Sequence, residues 1–424
     1  MPKYLFQLGH CPNISYAEIM AVHDRLRGHL TSIEMDQDIA IAKSDDITNI
    51  QSFCDELGGT IRAARILFTK PPEPSIKDVL TPDYLLDVFD SAHIIEQLRE
   101  RSKRPIFGIS IFGELPQNFS KKQAYSLLHE TADLLKEKLK EKEVSSRFVL
   151  PDPKGASLCL TGAQVKNNKL IEEGMEIGVR LNQVMGITIA ESVWLQDYED
   201  YSKRDYGRPG RDAHSGMLPP KLARILINLA RTIDTETVLD PFCGSGGIIT
   251  EAGMMGLKST GFDKSQKAVD DSINNWEWLQ SNTDNATGRV RALAGDARQL
   301  HTLCSPLFFD SCATEPYLGP PMSKPLDPQR FGIISNELIP LYIRALGEIR
   351  TVVKPGARVV FVIPRFRLKD NDSFANLRML SEIKLLGYHI LDPLADFEPI
   401  KGRTPLVYSR PGQVVQREIF VLQA

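Results

Sequence analysis

The stretch LDPFCGSGGIITEAGMMGL, residues 239–257, joins an apolar run that is typical of a strand to a run that is typical of a helix. Gly244, Gly246 and Gly247 carry no Cβ, so the turn between the two runs can adopt positive φ angles and a ligand can approach its backbone closely. Asp240 closes the predicted strand, where its carboxylate can accept hydrogen bonds from a cation or a water. The stretch therefore predicts a ligand-binding turn at the end of a strand.

The sequence around this turn alternates strands with helices. A helix KLARILINLAR and a strand TVLDP lead into the turn, and STGFD, KAVDDSINNWEWL, VRALAGD and FFDSCATEP follow it as strand, helix, strand and strand. Such alternation predicts right-handed crossovers and a mostly parallel, doubly wound α/β sheet. Ligands of these sheets bind beyond the carboxyl ends of the strands, where the strand order reverses. The glycine turn should lie at that edge.

Two further acids follow the next two predicted strands. Asp263 ends STGFD, where an acid can accept hydrogen bonds from both hydroxyls of a ribose, and Asp296 ends VRALAGD, where it can accept from an adenine amine. Each of these aspartates alone is more often a helix N-cap. Together with the turn they predict a pocket for S-adenosylmethionine, with the methionine tail held by Asp240, Gly244 and Gly246, and with Pro241 in the same cofactor-binding set.

Other nucleotide motifs are absent from this turn. No Gly-Lys-Ser/Thr follows the glycines, which excludes a phosphate-binding P-loop, and the spacing of a dinucleotide fingerprint is incomplete. A glycine-rich loop alone would therefore be weak evidence for a particular ligand, and the acids at the neighbouring strand ends carry the prediction.

Composition sets limits on the rest of the protein. The 424 residues favour two or three domains, and 42% hydrophobic with 25% charged residues argues against a disordered or fibrous chain. A net charge of -3 removes the argument from a strongly basic chain, so any nucleic-acid contact must rest on local patches. The six cysteines lack zinc-site spacing, and we find no signal peptide or membrane-spanning run. We expect a cytoplasmic protein without a metal site.

Four segments are predicted along the chain. Residues 1–70 read as an α+β unit in the order strand, helix, strand, strand, helix, strand, and the prolines of PPEPS mark its end. Residues 71–175 contain the strand PIFGISIFG, a long amphipathic helix, and the strands SRFVLP and SLCLTGAQVKNNK. Residues 176–215 are predicted as a linker, and residues 216–424 as the doubly wound domain.

Basic and aromatic residues concentrate in the stretch DYEDYSKRDYGRPGRDAHSGMLPPKL, residues 197–222. They can grip phosphates and stack on bases, although a solvated linker explains the same composition equally well. The residues in question are Tyr201, Lys203, Arg204, Tyr206, Arg208 and Arg211.

At this point the chain resembles a known family. DPFCGSGGIITEAG resembles the cofactor motif of the THUMP-domain tRNA guanosine 2-amino methyltransferases, and GRPGRDAHSGMLPPKLARILINLAR resembles the segment that precedes their catalytic domain. The run from PIFGISIFG to SLCLTGAQVKNNKL is similar to a THUMP domain, and YLFQLGHCPNISYAEIMAV to the ferredoxin-like unit that starts these enzymes. The resemblance covers nearly the whole chain.

This resemblance implies a Rossmann-like methyltransferase domain over residues 216–424. It also implies an RNA-binding region made of a ferredoxin-like unit and a THUMP-like domain, over residues 1–70 and 71–175. The implied reaction methylates the 2-amino group of a tRNA guanosine, typically guanosine 10, with S-adenosylmethionine as cofactor and tRNA as partner. The resemblance leaves open a small activating protein subunit.

One loop departs from the family. The fourth-strand loop of these enzymes usually reads Asp or Asn, Pro, Pro, Tyr or Phe, whereas TEPYLGPP here supplies Glu315, Pro316 and Tyr317. The resemblance implies that Glu315 and the Pro316 carbonyl accept the hydrogens of the target amine, and that Tyr317 stacks on the extruded base. Glutamate adds a methylene and the aromatic residue comes one position early. The alternative for the loop itself is a plain turn. The alternatives for the function are methylation of another nucleobase amine in RNA or DNA, or RNA binding by a protein whose catalytic loop has decayed.

Overall fold

A computed structural model describes residues 1–26, 30, 32–36, 38–44, 47–72, 80–116, 119–155, 157–182, 186–211, 217–304, 308–369, 373–395 and 406–424. The chain forms two compact units. The first comprises Met1–Gly9, Gly28–Asp55 and Thr60–Tyr198, and the second His10–Arg27, Glu56–Gly59 and Glu199–Ala424. None of the helices in the described ranges has the length and apolar character that a membrane span requires.

Helix α1 (Pro12–Arg25) packs in the second unit, so the helices of the first unit begin with α2 (Ile47–Asp55). Its elements are β1 (Lys3–Leu8), β2 (Ser32–Asp36), β3 (Ile39–Lys43), α2 (Ile47–Asp55), β4 (Thr60–Lys70), α3 (Pro82–Ser91), α4 (Ile94–Arg101), β5 (Ile106–Ile111), α5 (Lys121–Glu141), β6 (Arg147–Val149), α6 (Gly162–Asn167), β7 (Met175–Asn182) and β8 (Gly186–Leu195). The strands form one sheet in the order β2-β3-β1-β4-β8-β7-β5-β6. Strand β5 runs parallel to its neighbours β6 and β7, and the other pairs are antiparallel.

Helix α5 confirms the predicted amphipathic helix of this unit. Ser120 and Gln123 form a capping box at its start, and the leucines Leu127, Leu128, Leu135 and Leu139 are buried in the core beside β5 and β7. The apolar stripe therefore covers a sheet, as its spacing predicted.

Two predicted segments of this unit are wrong. The run SLCLTGAQVKNNK, predicted as a strand, contains α6, because Thr161 and Gln164 satisfy each other's backbone N–H groups in a capping box. The predicted linker, residues 176–215, contains most of β7 and all of β8, whose apolar runs are buried in the sheet. Residues 183–185 and 212–216 of that segment lie outside the described residues. Strand β4 pairs with β8, so residues on both sides of the boundary predicted near residue 70 share one sheet.

The second unit contains α1 and the following elements: α7 (Tyr198–Tyr206), α8 (Pro220–Ala230), β9 (Thr237–Asp240), α9 (Gly247–Met254), β10 (Lys258–Asp263), α10 (Gln266–Asn282), β11 (Arg289–Ala294), a 3₁₀ helix (Ala297–Gln299), α11 (Leu300–Leu303), β12 (Phe309–Thr314), α12 (Pro328–Val352), β13 (Val353–Arg367), β14 (Phe374–Asn376), α13 (Leu380–Leu385), β15 (His389–Leu391), β16 (Leu406–Tyr408) and β17 (Val415–Gln423). The sheet order is β11-β10-β9-β12-β13-β17-β15, with β14 on β13 and β16 on β17.

The order of the strands in this unit indicates at which edge of the sheet a ligand can bind. Strands β9 to β13 are parallel, and β17 is antiparallel to β13. The chain starts in β9, adds β10 and β11 on one side, and then crosses to add β12 and β13 on the other, so the order reverses at β9. Ligands bind beyond the carboxyl ends of the strands at such a point. The predicted doubly wound sheet is therefore confirmed, with the glycine turn at its switch point.

Helix α1 is held in the second unit by a buried acid. Glu18 accepts hydrogen bonds from the backbone N–H groups of Gly58 and Gly59, both at 2.8 Å, and from the Asn228 amide of α8 at 2.7 Å. Burial raises the pKa of Glu18 to about 7, although these donors act in the opposite direction. Three chain segments thus meet at one carboxyl group.

Candidate active site

The glycine turn between β9 and α9 has the backbone that its sequence predicts. Gly244 has φ +52° and Gly246 has φ +87°, values that residues with a Cβ rarely adopt. A Cβ added at Gly244 would meet none of the described atoms within 4 Å, whereas one at Gly246 would lie 3.0 Å from Ser272 Oγ. The space above Gly244 is therefore open, while Gly246 permits close packing on α10.

Two side chains of α10 hold this turn from behind. Ser272 Oγ donates to the carbonyl of Gly244 at 2.7 Å, and Asn275 Nδ2 donates to the carbonyl of Ser245 at 2.8 Å. Asn275 also exchanges hydrogen bonds with both backbone groups of Gly210. We did not predict these residues, although small polar side chains on the buried face of an amphipathic helix were a usable signal.

Asp240 lies at the end of β9 and is buried, as is Pro241 beside it. Its Oδ1 accepts from Thr314 Oγ1 at 2.6 Å and from the Phe242 N–H at 3.2 Å. Burial raises its pKa to about 7, and the nearby carboxylates of Asp263 and Glu315 add to that rise against the two hydrogen bonds. A bound cation would favour the ionised form of the Asp240 carboxyl. Holding a positively charged ligand group is the role predicted for this side chain.

Asp263 lies at the end of β10 and reaches the glycine turn. Its Oδ2 accepts from the Gly244 N–H at 3.1 Å and its Oδ1 from the Ser265 N–H at 2.8 Å. The residue that caps α10 is Ser265, so the alternative interpretation of Asp263 as an N-cap is wrong. The sheet thus brings Asp240, Asp263 and Gly244 together.

Asp296 lies beyond the end of β11 and has local partners. Its carboxylate caps the 3₁₀ helix by accepting from the Arg298 N–H at 2.9 Å, and Oδ2 accepts from Arg298 Nη2 at 2.6 Å. These Arg298 hydrogen bonds lower the pKa of Asp296. The N-cap alternative therefore holds for Asp296, and its contact with an adenine amine stays a prediction.

The EPY loop, residues 315–317, begins directly after β12. Glu315 forms a bidentate ion pair with Arg417 of β17, in which Nε donates to Oε2 and Nη2 donates to Oε1 at 3.2 Å. Pro316 is buried, and the Tyr317 carbonyl accepts from Tyr342 OH at 2.6 Å. The Tyr317 residue is 46% exposed. The loop therefore has an anchored backbone and an open aromatic ring.

A side-chain hydrogen bond links the residue before the EPY loop to the predicted cofactor edge, which is the end of β9 and β10 that carries Asp240, Asp263 and the glycine turn. Thr314, the last residue of β12, donates to Asp240, the last residue of β9. These strands are neighbours in the sheet, so Glu315 follows immediately beside the buried acid. Arg417 and Thr314 were not predicted as site residues. The sequence signal for Arg417 was a charged pair, Arg417 and Glu418, inside the apolar strand β17.

The basic stretch before α8 is only partly available to a ligand. Arg204 is buried, pairs with Asp200 at 2.9 Å and with Glu251, and lies over the Tyr201 ring. Arg208 is buried as well. The interpretation of these two arginines as phosphate ligands is therefore wrong, because internal partners and packing hold them. The exposed residues of the set are Lys203, Tyr206 and Arg211.

The comparison with protein families addresses this same region. Residues 208–304 match the UPF0020 family, described as an RMKL-like methyltransferase domain. The matched range contains the glycine turn, Asp240, Asp263 and Asp296, and it ends before the EPY loop. The prediction of a methyltransferase domain is thus confirmed over residues 208–304, the range that contains the predicted cofactor edge.

Curated relatives match parts of the chain. The tRNA (guanine(10)-N2)-dimethyltransferase of Pyrococcus abyssi is 29% identical over 185 residues, which cover 44% of this chain and 47% of that protein. The probable enzyme of the same name from Methanothermococcus thermolithotrophicus is 35% identical over 103 residues, covering 23% of this chain and 60% of the relative. The chain thus spans about half the length of the curated relatives that it matches over these longer alignments.

A solved structure matches along the whole chain. The crystal structure of TrmN from Thermus thermophilus covers 99% of both chains with a TM-score of 0.54 at 15% identity. At this level of identity the likeness shows the fold. The predicted class, a Rossmann-like methyltransferase domain with an additional α+β region, is confirmed as an architecture.

Proposed function

We propose that this protein transfers the methyl group of S-adenosylmethionine to the 2-amino group of a guanosine in tRNA, with guanosine 10 as the expected position. One observation carries the proposal: the Thr314–Asp240 hydrogen bond joins the glycine turn and the EPY loop at one edge of a parallel sheet. The methyltransferase-domain match and the names of the curated relatives support the same reaction.

The residues at this edge fit the proposed cofactor. Gly244 leaves open space above the turn, and the buried Asp240 carboxyl can accept from the ammonium group of a methionine tail. Asp263 would accept from the ribose hydroxyls, and Asp296 from the adenine amine. When bound, the cofactor supplies an electrophilic methyl group.

The EPY loop would orient the target amine. An exocyclic amine is a weak nucleophile, so its placement accounts for most of the rate enhancement. Glu315 and the Pro316 carbonyl would accept its hydrogens, which aims the nitrogen lone pair at the methyl carbon, and the exposed Tyr317 ring would stack on the extruded base. In the transfer, the amine nitrogen would form its bond to the methyl carbon as the carbon–sulfur bond breaks with its electron pair on sulfur, and the extra proton on nitrogen would pass to water.

The test is transfer of labelled methyl to unmodified tRNA by the purified chain, with mass analysis of the product nucleosides. We expect 2-amino-methylated guanosine, and a loss of about a hundredfold or more in Glu315→Ala, because the amine loses its aligned acceptor. Glu277→Ala, on the exposed face of α10, is the matched acidic control and should retain activity.

Other results would assign another function. If the product were methylated adenosine or cytidine, that nucleoside would be the target in place of guanosine. If Glu315→Ala retained activity, the role proposed for this loop would be excluded. Cofactor binding without transfer to any tRNA would favour an RNA-binding protein. If an added protein fraction restored transfer, a small activating subunit would be part of the enzyme. A cytoplasmic location stays a prediction.

A further inference from the structure

Two strands of the second unit place the positively charged side chain of Arg417 against the acid of the EPY loop. Glu315 follows β12, and Arg417 lies in β17, with β13 between them in the sheet. Arg417 stands opposite Pro364 of β13 and Tyr408 of β16 in the strand register. Its guanidinium meets both carboxylate oxygens of Glu315. A bidentate pair fixes the direction of a carboxylate as well as its position.

This pair is largely removed from solvent. Both side chains are 12% exposed, and Arg417 is the sole ion-pair partner of Glu315 among the described residues. Removal of one member of such a pair leaves an uncompensated, poorly solvated charge. The Glu315 carboxylate of this pair, together with Asp263, also adds to the raised pKa of the buried Asp240. The ion pair is therefore part of the electrostatics of the cofactor edge.

We propose that Arg417 is a positioning residue that compensates for the longer acid in the EPY loop; this inference rests on the proposed function. Glutamate has one more rotatable bond than the family's aspartate or asparagine, so its carboxylate can occupy more positions. The ion pair holds it in one. Each carboxylate oxygen retains a second lone-pair direction, with which it can accept a hydrogen of the target amine.

The experiment compares Arg417→Gln and Arg417→Lys with the wild-type chain in methyl transfer to tRNA. We expect Arg417→Gln to lower kcat by about a hundredfold, because a displacement near 1 Å costs about that much. The KM for tRNA and the Kd for S-adenosylhomocysteine should stay within about threefold. Arg417→Lys should recover part of kcat, since lysine keeps the positive charge but lacks the planar guanidinium that makes two hydrogen bonds to one carboxylate.

A double variant separates positioning from a general structural effect. If Arg417 acts through Glu315, then Glu315→Gln with Arg417→Gln should be no slower than Glu315→Gln alone. Multiplied losses, or full activity in Arg417→Gln, would overturn the inference. The control is Arg365→Gln, which weakens the neighbouring Arg365–Glu418 contact at 3.8 Å and should retain kcat.

Two further outcomes are distinguishable. No transfer by the wild-type chain, with or without an added protein fraction, overturns both the proposed function and this inference, whereas transfer that is insensitive to Arg417 overturns only the inference. If Arg417→Gln fails to bind S-adenosylhomocysteine because it does not fold, Arg417→Lys decides the question by its kcat alone. A Lys variant with wild-type kcat would show that the bidentate geometry has no role.

Discussion

Gly244 combines two properties that a single side chain would disturb. Its φ of +52° lies in the left-handed region, and the space above it is open. A Cβ at this position would strain the backbone and would also project into the space that we propose for the cofactor. These two effects can be separated, because Gly412 of the same unit also has a left-handed φ but lies in the turn before β17, outside the glycine turn.

We expect Gly244→Ala to weaken binding of S-adenosylhomocysteine by tenfold or more, measured by calorimetric titration, because the methyl group occupies the ligand's approach to the turn. The left-handed backbone should also cost about 1 kcal/mol of folding stability. The matched control is Gly412→Ala: Gly412 has φ +81° and lies in the turn before β17, with no described atom within 4 Å of its added Cβ. It should show a similar stability loss with unchanged affinity. Equal affinity in both variants would contradict the assigned cofactor edge.

Helix α1 shows how a buried polar group can hold an element in place. Glu18 is fully buried and accepts from three donors, while Arg25 at the end of the same helix pairs with Glu56 at 2.8 Å. Arg231, just after α8, pairs with the same Glu56 at 3.0 Å. The attachment of α1 to this unit thus depends on hydrogen bonds as well as on apolar packing.

Glu18→Gln should therefore loosen α1. One carboxylate oxygen becomes an NH₂ group that faces an N–H donor, and a buried unsatisfied donor costs about 1–3 kcal/mol. At pH 8 we expect a lower urea midpoint and faster hydrogen exchange in α1 and α8. Glu277→Gln, the exposed acid of α10, should leave both quantities unchanged. Wild-type exchange rates in Glu18→Gln would show that the hydrogen bonds of Glu18 are not needed to hold the helix.

Across the whole second unit, two buried acids link stability to pH. The pKa of Asp240 and that of Glu18 are each raised to about 7, from 3.8 and 4.5. At pH values between the ordinary and the raised pKa of each acid, the folded state binds more protons than the unfolded state. The free energy of unfolding therefore falls as pH rises through this window, by about 1.4 kcal/mol per pH unit for each site.

The expected outcome is a smaller pH dependence in Asp240→Asn than in the wild-type chain. Urea unfolding between pH 4.5 and 7.5, followed by the fluorescence of the three tryptophans, of which Trp276 and Trp278 lie in α10, should show the variant gaining stability relative to wild type as pH rises. The other titrating groups are common to both proteins and cancel in the comparison. Parallel curves would mean that Asp240 is ionised in the folded protein throughout this range.

Both units of the molecule are assembled from segments that are distant in the chain. Residues 10–27 and 56–59 belong to the second unit, although the strands around them, β1 to β4, belong to the first. The predicted order of elements in residues 1–70 is confirmed, but local patterns contain no signal for this exchange. The linker prediction for residues 176–215 failed because it weighed the polar end of the segment above the β-branched runs of β7 and β8. The ferredoxin-like and THUMP-like identities of the first unit stay predictions.

The amino-acid sequence by itself determined the features that depend on neighbours along the chain. The glycine turn, the acids at the strand ends and the alternation of strands and helices follow from backbone freedom and side-chain period, which act over a few residues. Tertiary structure was needed for contacts that depend on strand order and packing. Glu315 and Arg417 are 102 positions apart, and they meet because β13 alone separates their strands. The burial of Arg204 and Arg208 and the attachment of α1 likewise arise when segments distant in the chain compete for the same interior space.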